Sequence, residues 1–267
     1  MARPHLPPFL PYGPRVKRGK QHEGQLARLT TLGGLLGVKT APILPRLAPV
    51  SAACDETMIV TVPHGFDALT VTTRVSRALA SSLCPWLAAL PGDELDLSID
   101  ATTITAWSDE AALPADAPAE VRALADRLDG IDALGFDGAA WTYRFELDNA
   151  GDLVNVTLAV IDELAAARGV TGPQRRIAAE LHRSLERGQP CRISLRARDG
   201  ALDPMVSITW DRVEWTPIQS MLKGFYPSGG GVEKIARLSR ASDAEDATVE
   251  LVLGPTDPPG VRFSFDV

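Results

Sequence analysis

The sequence predicts an α+β protein: repeated helix-plus-β-hairpin units forming a largely antiparallel sheet, open or curled into a barrel, with helices on one face. Two patterns carry this expectation. Segments such as ELDLSID at 94–100 and WTYRFEL at 141–147 alternate apolar and polar residues, the period of a half-buried strand. Between them lie stretches with apolar residues at helical spacing, opened by proline and closed by glycine. A third observation sets limits. The chain has 267 residues, 45% of them apolar and 23% charged, which is globular composition. No run approaches the ~18 continuous apolar residues of a membrane span.

Residues 1–24 read as a basic, proline-rich extended arm, and residues 25–267 as a single α+β domain. Pro4, Pro7, Pro8, Pro11 and Pro14 exclude a helix or central strand from the arm and break its apolar run, so no signal peptide is expected. Leu26–Leu36 predicts a short helix stopped by Gly37. MIVTV and ALTVTTRV form a first strand pair, and Val75–Leu90 a helix interrupted by Pro85. ELDLSID and TTITAW form the next pair. Pro118 opens a helix with Val121, Leu124 and Leu128, closed by Gly130. After WTYRFEL, Asp152 caps a helix carrying Leu158, Ile161 and Leu164. Pro173 opens another, with Ile177, Leu181 and Leu185 on one side. CRISLRAR, the turn DGALDP and MVSITWDRV make a hairpin. Thr216-Pro217-Ile218-Gln219 starts a helix bearing Met221, Leu222 and Phe225. A second helical piece, VEKIARLSR, follows a glycine run. TVELVLG and GVRFSFDV close the chain, giving about nine strands and five or six helices.

Charge is divided unevenly. Residues 1–50 carry Arg3, Arg15, Lys17, Arg18, Lys20, Arg28, Lys39 and Arg46 against Glu23 alone, although the whole chain has a net charge of −7. The body is therefore acidic, and a nucleic-acid surface is not expected there. Cys54, Cys84 and Cys191 are odd in number and far apart, so they suit small core residues in a reducing, cytoplasmic setting. His5, His22, His64 and His182 lack metal-ligand spacing, and His182 is expected half-exposed beside Leu181. Asp96 and Asp100 lack a third oxygen-rich ligand loop. Gly229-Gly230-Gly231 fails the phosphate-loop pattern. No metal or cofactor is expected. Trp210 falls on the apolar side of its strand, with Val206 and Ile208.

The polar strand face is where a site is expected. It carries Asp96, Ser98, Asp100, Thr142, Arg144, Glu146, Arg192, Ser194, Arg196, Ser207, Thr209, Asp211, Arg262, Ser264 and Asp266. On an open sheet these are a solvated surface. In a closed barrel, Arg144, Arg192, Arg196 and Arg262 converge on a polar lumen and suit a phosphate, diphosphate or carboxylate, with Asp96 or Glu146 as a base. The order of elements over residues 25–267 resembles the barrel of the soluble aromatic prenyltransferases, which implies a lumen whose basic strand residues hold a prenyl diphosphate. The resemblance lies in element order and carries no shared motif. The three tyrosines, Tyr12, Tyr143 and Tyr226, are few beside the tyrosine-rich lumens of that family.

Two functions follow. The leading expectation is a non-catalytic binding or assembly protein, joined to a protein partner or to its own copies through Phe9, Leu10, Tyr12, Arg15, Lys17 and Arg18. It rests on the opposed charges of arm and body and on the lack of a recognisable catalytic motif. The alternative is a transferase that binds a phosphorylated or prenyl diphosphate substrate, a small anionic ligand, in the arginine-lined lumen.

Overall fold

The alternating segments are strands, and every strand is antiparallel to both of its neighbours. The computed structural model describes residues 18–51, 59–63, 68–84, 86–87, 90–110, 112–147, 153–184, 191–225, 233, 246–255 and 260–266. Within them the order is α1 (Arg18–Leu36), α2 (Leu44–Ser51), β1 (Ile59–Pro63), β2 (Thr70–Ser76), α3 (Arg77–Leu83), β3 (Glu94–Ile99) and β4 (Ile104–Ser108). Next come α4 (Ala119–Leu128), β5 (Ala133–Phe136), β6 (Trp141–Leu147), α5 (Leu153–Ala167) and α6 (Gly172–Ser184). The chain then forms β7 (Cys191–Arg198), β8 (Ala201–Glu214), α7 (Trp215–Phe225), β9 (Asp246–Leu253) and β10 (Gly260–Asp266).

The ten strands close into a barrel in the order β1-β10-β9-β8-β7-β6-β5-β4-β3-β2. Closure joins the first strand to the last. Thr61 of β1 stands opposite Ser264 of β10, with their hydroxyl oxygens 2.7 Å apart. Among the described residues no strand edge is left unpaired, so the open-sheet alternative is set aside.

Alternation then divides the wall into two faces. Val71, Leu97, Phe145, Ile193, Ile208, Leu251 and Phe263 are fully buried, and they share one core with helix residues such as Val121, Ile161, Leu181, Ile218 and Leu222. Their neighbours in sequence, among them Thr72, Ser98, Thr142, Ser194, Ser207 and Thr209, are only half-buried. The apolar set therefore packs with helix residues in that core, and the polar set lies on the opposite, interior face of the barrel wall. Trp210 fixes the assignment at β8, because its Nε1–H donates to Nδ1 of His182 on α6 at 3.0 Å. Trp210 lies in the core as expected. His182 does not stay half-exposed; it is 1% accessible, held against the wall by that bond.

Local chemistry explains the boundaries. Ser76 caps α3, its side chain accepting from the Leu79 N–H at 3.5 Å, and Cys84 is already extended, so the helix expected over 75–90 is confined to Arg77–Leu83. Asp129 ends α4 in the left-handed region, and the Gly130 N–H reaches Ala125 O at 2.8 Å. Asp199 and Gly200 both have positive φ, the pattern of a two-residue type I′ hairpin. The turn is therefore two residues long, and β8 begins at Ala201 rather than after Pro204. A bulge at Arg212 (φ 53) leaves Trp210 and Val213 both on the core face.

Some expectations fall elsewhere. α1 begins at Arg18, so residues 18–24 are helical. Phe9, Leu10, Tyr12, Arg15 and Lys17 lie outside the described residues, as do Cys54, His64, Asp152 and Gly229–Gly231, and nearly all of VEKIARLSR. Cys84 and Cys191 are buried, free thiols. Among the described residues, no helix is long and apolar enough to cross a membrane.

Candidate active site in the barrel lumen

β6 supplies the centre of the lumen. Tyr143, Phe145 and Leu147 point into the core, which turns Thr142, Arg144 and Glu146 inward. Arg144 reaches β4, where its Cζ lies 4.2 Å from the ring centroid of Trp107. It makes no salt bridge among the described residues. Burial draws its pKa below the ordinary arginine value, and Arg192 adds repulsion against the attraction of Asp132, Glu250 and Asp211. Glu250 belongs to β9, with β7 and β8 between it and β6 in the wall, so this influence runs across the interior.

Around Arg144 several other charges are paired. On β7, Arg192 Nη2 binds Asp211 of β8, and its Nε lies 3.6 Å from Glu146 Oε2. Thr248 of β9 donates its hydroxyl to the other Asp211 oxygen at 3.0 Å. Arg262 of β10 forks onto both Glu250 oxygens at 3.2 and 3.1 Å. Hydroxyl rungs line the wall beyond, including Thr72 with Ser98 at 2.8 Å.

Three of the four expected arginines thus share the interior: Arg192 repels Arg144, and Arg262 is paired with Glu250, whose charge reaches Arg144. Arg196 does not join them. It stands opposite Thr142 and binds Asp137 in the β5–β6 turn, with Asp203 at 3.9 Å. Burial pushes the Asp137 carboxyl up, but the N–H groups of Ala139 and Ala140 and the Arg196 charge outweigh it and hold the pKa low. Of the two proposed bases, Asp96 is forked onto Arg74 at 2.8 and 3.1 Å. Glu146 is held more loosely, by the single 3.6 Å contact, and is half accessible. Asp100 is consumed by its own turn, accepting from Thr102 and Thr103. Among the described residues, no group of three or more His, Cys, Asp or Glu is placed to hold a metal ion.

No family model matches the chain, and no curated protein matches it in sequence. Solved structures do match. The 5-dimethylallyltryptophan synthase of Streptomyces coelicolor superposes with a TM-score of 0.59 at 13% identity, over 93% of this chain and 97% of that one. The 6-dimethylallyltryptophan synthase of Micromonospora olivasterospora, in complex with DMASPP and Trp, gives 0.57 at 14% identity, over 94% and 97%. Prenyltransferase PriB, in a ternary complex with L-tryptophan and dimethylallyl thiolodiphosphate, gives 0.54 at 13% identity, over 93% and 96%. The chain has the fold of the prenyltransferase barrels.

That likeness corrects the leading expectation. The solved structures sharing this barrel are prenyltransferases, which backs the alternative, a transferase, over a non-catalytic assembly protein. A cavity opens near the β5–β6 and β7–β8 turns. That cavity, of about 450 Å³, is lined by Asp116, Phe136, Trp141, Tyr143 and Asp199, residues of the outer wall and its rim, and so lies outside the lumen.

Sequence reasoning missed Trp107, Glu250, Asp137 and Arg74. Trp107 and Arg74 lie on strands that were recognised but not assigned a face. Alternation with the buried Ala106 and Ser108, and with Thr73 and Val75, would have turned both inward. Tyr143, the tyrosine within the described residues, faces the core, and burial pushes its hydroxyl up to about 12.

Proposed function

We propose that the chain is a transferase that binds a prenyl diphosphate in its lumen and passes the prenyl group to an aromatic acceptor. The observation that carries this reading is Arg144: a desolvated guanidinium, stacked on Trp107 and free of any ion pair among the described residues, at the centre of a prenyltransferase-type barrel. A half-buried cation without an ion-pair partner carries a desolvation cost, and an anionic ligand relieves that cost. Residues 25–267 act as one catalytic unit in this reading.

The chemistry assigns roles. The C–O bond between the prenyl carbon and the diphosphate breaks, and its electron pair leaves with the diphosphate. Arg144 takes that developing charge, with Arg192 and Arg262 adjacent. A new C–C bond forms between the prenyl carbon and the acceptor ring. The proton displaced from the ring passes to Glu146, whose carboxylate is the less engaged of the two acids.

Inorganic pyrophosphate and dimethylallyl diphosphate are expected to raise the melting temperature, by the equivalent of about 2.7 kcal/mol at a hundredfold excess over Kd. Arg144→Gln removes that rise and lowers kcat/KM for tryptophan prenylation, followed by mass spectrometry, by about a hundredfold. Wild-type protein indifferent to both anions, or an Arg144→Gln variant that still responds, would refute the reading.

A further inference from the structure

We infer that Gly135 and Trp107 are positioning residues that hold the Arg144 guanidinium at the anion subsite. The inference rests on the transferase reading above and adds to it the device that sets the arginine's place. Trp107 stands opposite Gly135 in the β4–β5 ladder, and Gly135 opposite Thr142 in the β5–β6 ladder. The indole therefore leans across β5 toward β6. A Cβ built at Gly135 would lie 2.8 Å from Cε3 and from Cζ3 of the Trp107 ring and 3.0 Å from Cδ2, closer than real carbons approach. The ring rests on bare backbone. Gly135 is absent from the glycines with positive φ, so this position requires glycine for space rather than for backbone freedom.

Arg144 completes the stack. Its Cζ lies 4.2 Å from the indole centroid, a guanidinium on a π-face. Charge pairing does not hold it there: its lumen neighbours Arg192 and Arg262 are fixed by Asp211 and Glu250, while Arg144 has no carboxylate partner among the described residues. The indole orients the side chain and leaves its N–H groups for a ligand, where a carboxylate would have occupied them. A bulkier residue at 135 displaces the ring, and the arginine with it. Trp107 is thus spent on holding Arg144, and its role differs from that of an aromatic contacting substrate directly.

The test is titration calorimetry of the full chain with inorganic pyrophosphate. Gly135→Ala and Trp107→Leu are each expected to weaken binding about tenfold. Trp107→Phe, which keeps a flat π-face, stays within about threefold. In an Arg144→Lys background, which keeps charge but loses the planar stack, Gly135→Ala has little further effect, a non-additivity that a merely structural role would not give. Melting temperatures check that each variant is folded, and Trp107→Leu serves if Gly135→Ala does not fold. Wild-type affinity in both Gly135→Ala and Trp107→Leu, with Arg144→Gln inactive, overturns the positioning role while leaving the anion site standing. Absence of pyrophosphate binding by the wild type overturns the transferase reading and this inference together.

Discussion

Trp210→Ala is expected to lower the free energy of unfolding by about 4 kcal/mol, read as a shift of the urea midpoint at constant slope. Trp210 is the largest of the fully buried side chains, and it sits where β8 meets α6. Truncation removes the indole's transfer energy and leaves a cavity between two layers that relax only in part. It also leaves Nδ1 of His182 without its donor in a site that water does not reach freely. Trp210→Phe separates the two contributions: it keeps most of the ring, drops the N–H, and is expected to cost about 2 kcal/mol. A loss below 1 kcal/mol for the alanine variant would mean that Trp210 does not join the helix layer to the wall.

Trp210 also shows what was legible in the sequence. Its burial followed from alternation with Val206 and Ile208, and β6 and β7 span the same residues that alternation predicts. Periodicity reports which side of a strand is dry, so it located both the core and the polar face. It does not report closure. The barrel depends on β1 pairing with β10, and nothing local in IVTVP or GVRFSFD encodes a register between segments at opposite ends of the chain. Without closure, the four arginines remained points on a surface, and whether they met was undecided. The structure unites three and sends Arg196 to the turn with Asp137. β5 escaped notice because ALGF is four residues long, shows no alternation and contains a glycine, which is read as a strand breaker. That glycine carries the indole beneath Arg144, so the missed strand also hid what the Trp107 ring rests on. His182 was misjudged for a different reason. On α6, Gln174, Ala178 and His182 repeat at helical spacing and are all buried, but two of the three are polar and disguise the stripe.

That buried histidine makes stability sensitive to mild acid. Burial is the main cause that pulls the His182 pKa from 6.5 to about 4, with the nearby Arg183 charge acting in the same direction. Nδ1 accepts from Trp210, so the proton of the neutral ring is assigned to Nε2, which is buried without a hydrogen-bond partner among the described residues. A second proton would place a charge in the core and turn Nδ1 into a donor facing a donor. Between pH 6.5 and about 4 the unfolded chain therefore binds a proton that the folded chain refuses. Stability from this group is complete above pH 6.5 and declines as pH falls to about 4, by roughly 3 kcal/mol in all. Asp100 and Asp137 act in a separate window: both are held below 3.8, so the stability they contribute is lost only at lower pH. His182→Asn keeps an acceptor for the Trp210 N–H and does not titrate. Its absolute stability reflects the smaller side chain, but its stability is expected to stay nearly level from pH 6.5 to 4.5 while the wild type declines. Parallel urea midpoints for the two proteins across that range would show that His182 accepts its proton in the folded barrel, and that its burial against Trp210 is looser than the 3.0 Å bond implies.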